Sequence, residues 1–249
     1  KKILALDISA YLISNQAFKN YDFARVLVEY NKQDNNDLNI NYIDELISST
    51  ITDNIVISEK IADTILELDP NNQDALLFIF VNFLVNSEYR KIYKIFLDKE
   101  FEKNDLVEYI FFDNDYILKN KNQISESFVE IIKSTYSSNM LKTQFDYNYL
   151  LYYTSLAIIL DPNNYEAILI KAQLYELVEN YIEAEIFYKK IPSSSAYYKD
   201  SQKSIAYNFS NYLNFVETEK NIINLMNTFD DNSAIKKILA DYYRSKKKY

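Results

Sequence analysis

The sequence predicts an all-α protein built from antiparallel helix pairs, with no β-sheet. Three observations predict it. Gly is absent from all 249 residues, so the Asn-Gly, Asp-Gly and Gly-X turns that close tight hairpins cannot form. Apolar residues recur instead at helical spacing. The chain also repeats itself at fixed intervals, the signature of an array of similar units.

The longer interval is the plainer one. Leu68-Asp69-Pro70-Asn71-Asn72 returns as Leu160-Asp161-Pro162-Asn163-Asn164, 92 residues later, and Ala75, Phe83 and Tyr89 return as Ala167, Tyr175 and Tyr181. Each Asp-Pro ends an apolar run, as expected where Pro cannot continue a helix. The shorter interval is 34 residues. It links Tyr181, Phe215 and Tyr249; Ala172, Ala206 and Ala240; Tyr175, Phe209 and Tyr243; and, near the N-terminus, Tyr21, Ile55 and Tyr89.

The segments follow in order. Residues 74–85 are apolar on nearly every side, as in a helix buried on several faces. The middle breaks phase: Tyr89 to Tyr147 is 58 residues, so one repeat of ordinary length is followed by one about ten residues short. Helices are expected there over 105–118, 123–135 and 140–160. Residues 167–191 carry two apolar stripes, Ile168–Ala172–Tyr175–Val178 and Tyr181–Ala184–Phe187–Tyr188–Ile191. Residues 234–249 read as a first helix with Ile235, Leu239, Ala240 and Tyr243 on its packing side. Clusters of Asn, Asp and Ser between these runs supply turns and helix N-caps. The organisation expected is N-terminal repeats over 1–97, irregular helical repeats over 98–146, and C-terminal repeats over 147–249 with the last one incomplete, all in one continuous solenoid.

A 34-residue period of helix, turn and helix resembles the tetratricopeptide (TPR) repeat. The best copy is 165–198, with Glu166-Ala167, Ala172, Tyr175, Asn180-Tyr181, Ala184 and Tyr188. The resemblance is strong over 150–249 and weaker over 1–97, where Tyr21, Ala24 and Tyr89 stand at repeat positions. It extends to the link Ile191–Asp200, which is similar to one in some large bacterial TPR proteins. Two family glycines are replaced, by Ala172 and Glu179. The resemblance implies a right-handed superhelical solenoid whose first helices line a concave groove for partner segments. The groove residues it implies are Leu77, Val81 and Leu84, then Leu169, Gln173 and Glu176, then Lys203, Tyr207 and Asn211. Leu169, Gln173 and Ser204 stand where chaperone-tail binders place basic and Asn residues, so no carboxylate clamp is expected.

Composition removes most chemistry. Without Gly there is no phosphate-cradling loop and no dinucleotide fingerprint, and without His or Cys there is no zinc finger, thiol nucleophile or Ser-His-Asp triad. No cofactor and no metal are expected: Asp113 and Asp115 flank Asn114, but a calcium loop needs a Gly at its turn. Glu183 and Glu185 lie two apart on a helix, where side chains do not face each other, and read as solvated. The net charge of −9 argues against nucleic acid, and the only basic run is Lys246–Lys248. The longest apolar stretch, Ala75–Val85, is about half of a membrane span. The chain begins at Lys1 with no charged-then-apolar signal segment visible, and is expected to be a soluble segment of a longer protein, cytoplasmic or periplasmic. A further helix is expected beyond Tyr249, and the open C-terminal edge is expected to fray or self-associate.

The function expected is a non-enzymatic protein–protein interaction scaffold that binds protein or peptide segments. The alternative is a helical, carboxylate-using enzyme of carbohydrate-active type, or an accessory segment of a larger enzyme.

Overall fold

Fourteen helices and no strand make up the described residues of the computed structural model, which are 8–30, 42–97, 105–113, 116–137, 144–213, 215–227 and 233–246. The protein is all-α. It divides into two compact units, residues 1–164 and 165–249, with the boundary just after the second Asp-Pro-Asn-Asn turn.

The N-terminal unit opens with three helix pairs: α1 (Ile8–Lys19) with α2 (Phe23–Tyr30), α3 (Tyr42–Ile51) with α4 (Ile55–Leu68), and α5 (Gln73–Val85) with α6 (Tyr89–Leu97). It continues through α7 (Asp105–Phe111), α8 (Lys121–Ser137) and α9 (Gln144–Leu160). The C-terminal unit holds α10 (Tyr165–Leu177) with α11 (Tyr181–Lys189), α12 (Tyr198–Tyr212) with α13 (Phe215–Met226), and α14 (Ser233–Ser245).

One turn recurs inside the pairs. Tyr21, Asp53, Ser87 and Glu179 each stand two residues before a second helix and each has φ near +60° (59°, 59°, 60° and 59°). The next amide donates to the carbonyl five residues back: Asp22 to Ala17 (2.9 Å), Asn54 to Ser49 (2.8 Å), Glu88 to Phe83 (2.7 Å) and Asn180 to Tyr175 (2.8 Å). The left-handed residue itself donates three residues back, to Phe18, Thr50, Leu84 and Glu176. This pair of bonds is the Schellman closure of a helix C-terminus, a site that usually takes Gly. Here four side chains with a Cβ hold it.

The turn fixes the register. Three residues into each second helix comes a fully buried position: Val26, Ser58, Ile92, Ala184 and Thr218 are each 0% exposed. Measured from the turns, the counterpart of Ile55, Tyr89 and Tyr181 in the first pair is Phe23, not Tyr21. Val26, not the exposed Ala24, therefore fills the packing position. The first pair is two residues out of the 34-residue spacing, which placed Tyr21 in the turn itself.

The link between pairs is also shared. In both Asp-Pro-Asn-Asn segments the Asp side chain accepts from the amide two residues on (Asn71 to Asp69, 3.2 Å; Asn163 to Asp161, 2.9 Å). The Asp carbonyl accepts from the second Asn (3.1 Å and 3.0 Å). Asn72 then caps α5 by accepting from Ala75 N.

In the C-terminal unit Ala172, Ala184 and Ala206 are buried, and Tyr175 stacks on Phe187 (5.6 Å between centroids). Phe209 is buried in α12. The third copy differs. Ala240 is exposed, and Ile235, Ile238 and Tyr242 form the buried stripe of α14. Helices α10 and α12 are each covered by the helix that follows, whereas α14 packs on α12 and α13. Tyr243 is half-buried and donates to Glu219; Tyr212 likewise donates to Glu185, 34 residues before Glu219, so Glu185 is engaged rather than solvated. Phe215 begins α13, and Tyr249 lies outside the described residues.

The segment 105–118 is not one helix. It ends at Phe111, and an isolated bridge pairs Phe112 with Leu118. Asp113 stops the helix because its carboxylate accepts from Ile117 N (2.9 Å).

Left-handed geometry costs a residue with a Cβ about 1–2 kcal/mol, part of which Gly loses again to its larger unfolded-state entropy. Glu179 is exposed, so its replacement removes no packing. Glu179→Gly should therefore raise the stability of the C-terminal unit by about 0.5–1 kcal/mol. Denaturant unfolding that shows a loss instead would mean the turn is misassigned.

Candidate functional site

The nine groove positions separate into two groups. Leu77, Val81 and Leu84 are each 0% exposed. They lie on one stripe of α5 with Asp74, and α5 packs on α3, α4, α6, α7 and α9. The Tyr149 hydroxyl donates to Asp74 Oδ2 (3.1 Å), and the Tyr152 hydroxyl donates to the Asp74 carbonyl (2.7 Å). A chain of rings completes the enclosure: Phe80 of α5 meets Phe111 of α7 (5.2 Å), Phe111 meets Phe128 of α8 (6.2 Å), and Phe128 meets Tyr153 of α9 (6.1 Å). Helix α9 also packs on α3. In this unit the positions expected to receive a partner are buried within the chain itself.

This core holds ionisable groups. Asp44 and Glu45 begin α3 and are buried. Burial pushes the Glu45 carboxyl up to about 9, with the neighbouring Asp44 charge adding to it. Burial pushes Asp44 up to about 6 against the opposing pull of Lys19. Glu45 Oε2 and, on α9, Asn148 Oδ1 are buried without a hydrogen-bond partner, an arrangement that costs far less for a neutral carboxyl than for a carboxylate. Burial likewise raises the phenols of Tyr149, Tyr152 and Tyr153, with Asp74 adding in each case. These carboxyls are enclosed, so they do not form an acid–base pair on an open cleft.

The second group, in the C-terminal unit, is more open. Gln173 of α10 and Tyr207 and Asn211 of α12 are exposed, while Glu176 and Lys203 are half-buried and Leu169 is buried. Asn208 Nδ2 donates to Glu176 Oε1 (2.5 Å) and ties α12 to α10. Lys203 is held by Asp200 on its own helix (3.0 Å). Burial raises the Tyr188 phenol, and Glu176 contributes to the rise. The two helices therefore expose two amides and a ring that is 55% exposed, and a part-buried polar bond joins them. Amides offer both donor and acceptor to a backbone, and an exposed tyrosine offers a flat apolar surface with a polar end.

Among the described residues no cluster of three or more acidic side chains is placed to hold a metal ion; Asp115 lies outside them. None of the described helices is long and apolar enough to cross a membrane. No protein-family model matches the sequence, and comparison with curated proteins gives no match. Sequence reasoning missed that α5 is enclosed and that it is packed against α9. The available signal was the composition of α9, since Tyr149, Tyr152, Tyr153 and Leu156 give it apolar side chains on more than one face.

The buried acids set a pH dependence. Both hold protons in the folded chain that they release when unfolded, so raising the pH from about 5 to 8 penalises the folded state, by about 1.4 kcal/mol per pH unit for each group inside its window. Thermal melts should show the protein less stable at pH 8 than at pH 5. Glu45→Gln should flatten that slope, raising the melting temperature at pH 8 with little change at pH 5. Parallel slopes for the two proteins would show Glu45 ionised in the fold.

Proposed function

We propose that the chain is a non-enzymatic TPR-like scaffold that binds protein or peptide segments on the α10–α12 face of its C-terminal unit. The observation that carries this reading is the exposure of Gln173, Tyr207 and Asn211 on helices joined through Asn208 and Glu176. A face for peptides needs a rigid base, an aromatic anchor and amides that can pair with main chain, and these residues supply each. The reading agrees with the 34-residue register, with the lack of His and Cys, and with the enclosure of the acidic pair. Stacked helix pairs expose long faces of this kind because each pair is covered only by its neighbours.

The test is peptide selection on the whole chain, followed by affinity measurement on variants that keep the fold. Tyr207→Ala should weaken the selected peptides by about tenfold or more, as for an aromatic anchor, and Gln173→Ala should weaken them less. Selected peptides that bind the Tyr207→Ala/Gln173→Ala variant as tightly as the parent would refute this placement.

A further inference from the structure

An open cleft of about 630 Å³ lies beside α6, between Tyr89 and Tyr93 on one side and the run Leu118–Asn122 on the other. Tyr89 and Tyr93 are 44% and 36% exposed. One turn further along the same helix is Leu97, 74% exposed. The three residues are spaced i, i+4, i+8 and form one apolar stripe about 12 Å long that leads out of the cleft.

The charge beside this stripe is positive, on a chain whose net charge is −9. Some local charges are already committed. Lys91 pairs with Glu88 (2.7 Å) and lies over the Phe83 ring. Lys119 donates to the Tyr109 carbonyl (2.6 Å) and to Ser127 Oγ (3.1 Å). The Glu130 carboxylate accepts from the Tyr109 hydroxyl (2.9 Å), and Asp113 is taken by the Ile117 amide. What remains is Arg90 and Lys94, exposed on α6 without an ion-pair partner among the described residues, and Lys121, whose ammonium has one long bond to the Val85 carbonyl (3.4 Å). The Asn120 and Gln123 amides at the start of α8 are already taken, each by the other residue's side chain.

We propose that this cleft and stripe are a docking surface for an acidic peptide segment that alternates carboxylates with aromatic or large apolar side chains. Charge complementarity selects the acids, which meet Arg90, Lys94 and Lys121. The stripe selects the apolar partners, which lie on Tyr89, Tyr93 and Leu97. Length selects an extended peptide over a small anion: at about 3.3 Å per residue, four residues span the stripe, whereas a lone anion would use Lys121 and leave it bare. The surface belongs to the N-terminal unit and shares no residue with the α10–α12 face, so the two readings fail separately.

The test is fluorescence anisotropy of a labelled octapeptide alternating glutamate with phenylalanine, titrated with the full chain. Saturable binding is expected, weakened at least about tenfold by Lys94→Glu combined with Lys121→Glu, and weakened several-fold by Tyr89→Ala or by raised salt. These side chains are surface ones, and unchanged thermal melts will show the variants folded. A glutamine–phenylalanine peptide should bind at least about tenfold more weakly. Equal binding of that neutral peptide, full affinity in the charge-reversed variant, or binding of a sulfated oligosaccharide in place of the peptide would each overturn the proposal.

Discussion

The structure depends on a turn that the composition makes expensive. Each of four helix pairs reverses direction through a residue in the left-handed region, and the chain has no glycine to place there. Asp53, Ser87, Glu179 and Tyr21 take the position and bear its steric cost because two main-chain bonds close the preceding helix around them. What offsets that cost is burial on the far side of the turn. Each reversal delivers the same position of the second helix into the core, whether Val26, Ser58, Ile92 or Ala184 fills it. The turn conserves geometry while the buried residue varies from valine to serine, so geometry rather than residue identity defines the repeat.

The two units put this common turn to different use. In the N-terminal unit α9 lies on α3 and α5, and rings from α5, α7, α8 and α9 join in one chain. Closing the surface has a consequence for charge: Asp44 and Glu45 are shut inside and held towards their protonated forms. A simple stack of pairs would have left α3 and α5 open along one side. In the C-terminal unit the corresponding face carries polar and aromatic side chains, and Glu176 is spent on bonding Asn208 rather than on solvent.

Features decided by neighbours in sequence were legible before the structure. The 34-residue interval places Ile55, Tyr89, Tyr181 and Phe215 at the starts of second helices, and the two Asp-Pro-Asn-Asn segments form the same turn because Asp69 and Asp161 bond their own main chain. Features decided at a distance were not. Nothing local to Leu77, Val81 and Leu84 says that they are buried or that α9, far downstream in sequence, packs on α5. The first pair misled for a different reason: Tyr21 keeps a 34-residue spacing to Ile55 by coincidence of residue type, while its backbone occupies the turn and Phe23 begins the helix. Helix 105–118 was overlong because its apolar spacing continues past Asp113, whose side chain ends it.

The most direct test is the backbone at the turns themselves. A positive φ brings a residue's amide hydrogen close to its own Hα, so nuclear Overhauser spectra of the labelled protein distinguish it from helix. Strong intraresidue amide–Hα cross-peaks are expected at Tyr21, Asp53, Ser87 and Glu179, and weak ones at the helical residues on either side. Helical intensities at Asp53, Ser87 and Glu179 would mean that continuous helices run through these positions, and the account of paired helices in a shared register would be wrong.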